Sequence, residues 1–111
     1  MQNLDTTFSA LSDPTRRAIL SRLAMSEATV MELAQPFAMS QPAISRHLRV
    51  LEEAGLITRR VEGAKRPCRL APGGIAGIDQ WLGFLRKALD TNFTRLDKVL
   101  AAQTKQRKEK S

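Results

Sequence analysis

The sequence predicts a mainly α-helical fold with a small β-hairpin. Three observations carry this reading. Apolar residues recur at helical spacing, as at Leu4, Phe8 and Leu11 and again at Ile44, Leu48 and Leu51. Two short helical segments stand only three residues apart, across Ala38 to Ser40. From Leu56 to Ala71 the spacing changes to β-branched and long polar residues around a glycine-containing loop.

Taken in order, Leu4, Phe8 and Leu11 predict a short first helix with one apolar stripe. Asp13-Pro14 opens the second, because Asp is a good N-cap and Pro fits the first helical position. Ile19, Leu20, Leu23 and Ala24 supply its buried face, with Arg16, Arg17 and Arg22 largely off it. Thr29 and Glu32 form a T-x-x-E capping box for a third helix, with Val30, Leu33, Ala34 and Phe37 facing inward. Pro36 keeps that helix short. Ser40 caps a fourth helix from Gln41 to Ala54, with Pro42 in its first turn and Gly55 as its stop. Two short helices across so tight a turn are a helix-turn-helix pattern. Such turns often carry a glycine, and Ala38 stands near that place.

Ile57–Val61 and Arg66–Leu70 read as strands joined by the loop 62–65, so the hairpin forms a wing after the helix-turn-helix. Pro72-Gly73-Gly74 then breaks the chain. A last helix from about Ile75 to Ala102 carries Ile75, Ile78, Leu82, Leu85, Leu89, Phe93, Leu96 and Leu100, with Trp81 alongside. At 1.5 Å per residue it spans roughly 40 Å. A small domain cannot cover that length. The stripe either belongs to a long monomeric core helix or meets a second copy of the chain, its simplest partner. Residues 1–104 are read as one winged helix-turn-helix and dimerisation domain, and 105–111 as a basic, disordered tail.

With 111 residues, 42% hydrophobic and 26% charged, the chain suits a single folded domain. Its net charge of +7 is uneven. Residues 1–39 come to about −1, 40–69 to about +4 and 86–111 to about +5. That suits a polyanionic partner, although solubility alone would give the same sign. A single cysteine, Cys68, allows no internal disulfide. With no leader-like start and no apolar run of the roughly 20 residues needed to cross a bilayer, the expected location is the cytoplasm. There is one histidine, no G-x-S-x-G, no P-loop and no paired carboxylates with an obvious pocket. Neither an enzyme nor a cofactor is expected.

The expected partner is double-stranded DNA. With Ile44, Leu48 and Leu51 facing inward, the fourth helix turns Gln41, Pro42, Ser45, Arg46 and Arg49 outward. Arg can pair with guanine and Gln with adenine in a major groove. Ser40 and Ser45 can bond phosphate. Its acids, Glu52 and Glu53, stand only at the far end, unlike the mixture of an ordinary solvated face. His47 lies beside this face, to touch a phosphate or to cap a local network in a positioning role, and with Arg16 it joins the candidate DNA-binding set. On the wing, Arg59, Arg60, Lys65 and Arg66 can follow phosphates or a minor groove, or simply protect a hairpin edge. Cys68 is read as a small wing residue, although neighbouring Arg66 and Arg69 could lower its pKa.

Residues Phe8 to Arg17 (FSALSDPTRR), Met39 to Leu48 (MSQPAISRHL) and Leu51 to Ile57 (LEEAGLI) together resemble the ArsR/SmtB family of bacterial regulators. The resemblance covers roughly residues 4 to 100. It implies a homodimer joined by the first and last helices, with Leu4, Phe8, Leu11, Trp81, Leu85, Leu89 and Phe93 at the interface. It also implies a fourth helix that reads operator DNA, and repression commonly relieved by an inducer; two dimer-related helices would make that operator an imperfect palindrome. Metal-sensing members place cysteines on the third helix, where this chain has Thr29 and Met31. Others bind zinc on the last helix through Asp and His. Here Asp79 is present, but Trp81 and Asn92 stand near the histidine places. No metal site is therefore expected, and Arg66 to Leu70 (RPCRL) is similar to the non-metal branch. Two other readings stay open: a winged helix that binds protein or RNA, and a thiol-based regulator using Cys68 across a dimer.

Overall fold

The computed structural model describes residues 3–110, and their side chains except those of 93, 94, 96–99 and 101–110. Among these residues there are five α-helices and one two-stranded antiparallel sheet. The order is α1 (Leu4–Leu11), α2 (Pro14–Leu23), α3 (Val30–Ala34), a 3-10 turn (Gln35–Phe37), α4 (Gln41–Glu53), β1 (Ile57–Arg59), β2 (Cys68–Leu70) and α5 (Ala76–Lys110). The chain forms two compact units, Met1–Ile78 and Asp79–Ser111.

Local chemistry sets the helix ends of the first unit. Asp13 accepts the Arg16 backbone N–H at 3.0 Å and Pro14 follows it. Thr29 and Glu32 close the capping box in both directions. Ser40 accepts the Ala43 N–H at 3.3 Å. At the far end of α4, Leu56 N–H reaches the Leu51 carbonyl and Gly55 N–H the Glu52 carbonyl. With Gly55 at φ 75, this is a Schellman cap, and buried Leu51 and Leu56 supply its apolar partners. Ala38 takes the left-handed turn position at φ 52, which costs a non-glycine residue about 1–2 kcal/mol.

The core gathers one face of each element. Ile19, Leu23, Leu33, Ile44, Leu48 and Leu51 meet Leu56, Ile57 and Cys68 from the hairpin root. The first helix buries Thr7 and Ala10, leaving the stripe of Leu4 and Leu11 half-buried and Phe8 38% exposed. The hairpin differs from expectation. Its ladder pairs Ile57 with Leu70, Thr58 with Arg69 and Arg59 with Cys68, and is shorter than the predicted strands. Arg60 N–H still reaches the Pro67 carbonyl at 3.2 Å, but Pro67 has no N–H to continue the pairing. On the other side of β2, Cys68 exchanges two backbone bonds with Ala28, at 2.8 and 3.2 Å. The segment before α3 thus acts as a third, one-residue strand, which the sequence reading missed.

In the second unit α5 continues to Lys110, past the expected end near Ala102 and through part of the stretch read as a tail. The apolar stripe ends at Leu100, but Ala, Gln, Lys, Arg and Glu keep helix propensity high without Gly or Pro. Leu85 is half-buried, whereas Trp81, Leu82, Phe84 and Leu89 are exposed. Phe84 and Ala88 lie beside the predicted stripe, but Asn92 and Arg95 fall within the same arc at 100° per residue and interrupt it. The expected contact Phe93 lies outside the described side chains.

Candidate nucleic-acid interface

The surface is built on α4. Burial of Ile44, Leu48 and Leu51 fixes the roll of the helix, leaving Ser40, Gln41, Pro42, Arg46 and Arg49 exposed and Ser45 half-exposed. Among the described residues the Arg46 and Arg49 side chains have no hydrogen-bond or ion-pair partner. A 13-residue helix is about 20 Å long, and one helix fits the major groove. Beside its first residue, a groove of about 570 Å³ runs between Val30, Met31 and Gln35 on one wall and Lys65 and Arg66 on the other. Those two wing cations are exposed, with no side-chain partner among the described residues.

The other basic candidates are engaged within the protein. Arg16 donates from Nε to the Ala10 carbonyl at 2.7 Å and from Nη2 to the Ser9 carbonyl at 3.1 Å. Arg17 donates to the Leu11 carbonyl at 2.8 Å. Both arginines therefore satisfy carbonyls at the C-terminal end of α1, where a cation is favoured. The Arg16 Nη1 atom also stands 3.4 Å from Nδ1 of His47, which lies 4.0 Å from the Asp13 carboxylate. His47 is thus a half-buried bridge from α4 to α2. The Arg16 backbone N–H foremost, with His47 adding its field, holds the Asp13 carboxyl below its ordinary value of 3.8.

On the wing, Arg59 turns to the hairpin root, its buried Nε 3.8 Å from Glu52. Arg60 forks between Glu27 at 2.6 Å and Glu62 at 2.9 Å. These arginines had no sequence signal for their partners, which lie up to 33 residues away. Cys68 is fully buried, and desolvation pushes its thiol pKa up despite nearby Arg59. A thiol so placed is inert in the closed hairpin, which counts against the redox reading.

A helix-turn-helix followed by a wing, with two exposed arginines on its second helix, defines a winged helix-turn-helix DNA-binding domain. Comparison with known proteins places it further. Residues 13–59 match the family described as bacterial regulatory protein, arsR family. A transcriptional regulator of Mycobacterium tuberculosis, Rv2034, is 43% identical over 82% of this chain and 78% of its own length. The transcriptional repressor SdpR of Bacillus subtilis is 40% identical over 54% of this chain and 67% of its own. A homodimeric winged helix-turn-helix DNA-binding domain from Mycobacterium bovis, solved in solution, superposes with a TM-score of 0.62 at 26% identity, covering 76% of this chain and 78% of that one. The chain belongs to the arsR family of bacterial regulators. It is a transcriptional regulator and not an enzyme. No helix among the described residues is long and apolar enough to cross a membrane.

Proposed function

We propose that two copies of this chain form a dimeric repressor that binds a palindromic operator in the bacterial cytoplasm. The observation that carries this is α4: one face sealed in the core, the other carrying Gln41, Ser45, Arg46 and Arg49. Arg46 and Gln41 are the base readers; Ser40, Ser45, Arg49, Lys65 and Arg66 meet phosphate. Arg16, His47, Arg59 and Arg60 hold these elements in place. Dimerisation draws on the apolar stripe of α5, on Leu4, Phe8 and Leu11 along α1, and on the homodimeric M. bovis domain. Repression draws on the likeness to the B. subtilis repressor.

Regulation proceeds without a metal sensor on α3 or α5. Thr29 and Glu32 bond each other in the capping box, and Met31 offers only a neutral thioether, so the α3 position does not fit a thiolate-bound metal. On α5, Trp81 and Asn92 leave Asp79 without imidazole partners at the expected places. Selection of duplexes from random DNA tests the reading. Wild type should enrich an imperfect palindrome with half-sites about one helical turn, or a multiple of it, apart. Arg46→Ala should relax one position per half-site by about 1–3 kcal/mol. No palindrome, or an unchanged motif and affinity in Arg46→Ala, would remove α4 as the dimeric reading head.

A further inference from the structure

The wing tip has no core of its own. Every residue from 61 to 66 is exposed. Pro67 interrupts the ladder, and beyond it the two arms rejoin only through the Glu62 and Lys65 backbones, at 2.9 and 3.0 Å. Lys65 and Arg66 therefore stand on a lever whose angle is fixed by neither packing nor continuous sheet. The side chain that bridges this gap is Arg60. Its Nη2 holds Glu62, the first residue of the turn, and its Nη1 holds Glu27, which belongs to the body of the domain.

Glu27 is itself well placed to serve as an anchor. On one side Arg22 donates to both the carbonyl and the hydroxyl of Ser26, at 3.1 Å. On the other, Ala28 is locked to Cys68 by two backbone bonds. The carboxylate projects from a segment held at both ends. The Glu27 bond is also the largest cause of the raised Arg60 pKa, with Glu62 second. An ion pair this exposed adds little to stability. Its effect is on where the tip points.

We propose that Glu27 is a positioning residue for DNA binding: through Arg60 it sets the angle at which the wing offers Lys65 and Arg66 to the phosphate backbone. This rests on the DNA-contact reading of those two cations. An acid beside a DNA-binding surface would ordinarily weaken binding by repelling phosphate. Positioning reverses that sign, so removing the acid weakens binding. It also requires the fork of Arg60, since a lysine is a point charge and holds two separate carboxylates less well.

Two variants decide it. In the free protein, Glu27→Gln and Arg60→Lys should lower the backbone order parameters of residues 62–66 from about 0.8 to below about 0.6, with an unchanged melting temperature. Unchanged order parameters overturn the latch whether or not DNA is bound. On a mixed-sequence 30-base-pair duplex, both variants should bind about fivefold more weakly, the equivalent of ~1 kcal/mol. The salt dependence should stay at the wild-type slope, because the phosphate contacts keep their number. Equal or tighter binding by Glu27→Gln, or wild-type affinity in Arg60→Lys, overturns the positioning role. A loosened tip with wild-type DNA affinity would locate the failure in the contact reading of Lys65 and Arg66.

Discussion

α4 presents Arg46 and Arg49 from a helix sealed by Ile44, Leu48 and Leu51 and capped at both ends. The hairpin presents Lys65 and Arg66 from a tip with no buried side chain, tied down by one forked arginine. The charges are alike and the mountings are not. A bidentate contact with a base needs a side chain held to a fraction of an ångström. Attraction to phosphate decays over a screening length of roughly 8–10 Å, so its donor needs only an approximate aim, which one forked arginine can supply. Rigid mounting thus accompanies the element suited to sequence, and soft mounting the element suited to backbone.

The largest effect that could break this contrast is in the core under α4. Leu48→Ala should cost about 2–5 kcal/mol of stability, measured by denaturant unfolding. If α4 keeps full stability and affinity after that loss, its rigidity does not come from the packed face. A smaller effect is expected at the wing. Lys65→Ala should leave stability within about 0.5 kcal/mol and lower the slope of log affinity against log salt by about 1. A loss of stability there would mean that the tip is part of the fold after all.

The smallest effect concerns Asp13, which caps α2 and faces His47 on α4. Its folded-state pKa lies below 3.8, chiefly through the Arg16 backbone N–H. The stabilisation is therefore complete above the unfolded value and fades as pH falls through the lower folded value. Asp13→Asn keeps a capping oxygen but does not titrate. Its stability deficit relative to wild type should narrow as pH drops below 3.8. A constant deficit across that range would show that the charge of Asp13 contributes nothing to the helix start.

Legibility from sequence followed the range of the interaction. Asp13-Pro14, Thr29 with Glu32, and Ser40 with Pro42 act within one helical turn, and each marks a helix start where it was read. The outward face of α4 was equally clear, because periodicity alone sets it. The core face of α1 was not: Thr7 and Ala10 are buried beside the apolar stripe that was read, and only the packed neighbours decide that. The pairing of Ala28 with Cys68 has no local sign, since a one-residue strand has no period. The basic candidates divide the same way. Arg46 and Arg49 are exposed and have no partner among the described residues, whereas Arg16, Arg59 and Arg60 are engaged by carbonyls and carboxylates that only the fold brings near.

Cys68 turns the hairpin into something that can be timed. It is the chain's only thiol, and it lies buried where β2 meets both β1 and Ala28. A thiol reagent can reach it only when the hairpin root lifts from the core. The rate at which such a reagent consumes the thiol therefore counts openings of the wing root, with no label added to the protein. The buried side chain that closes the hairpin is also a clock for its opening.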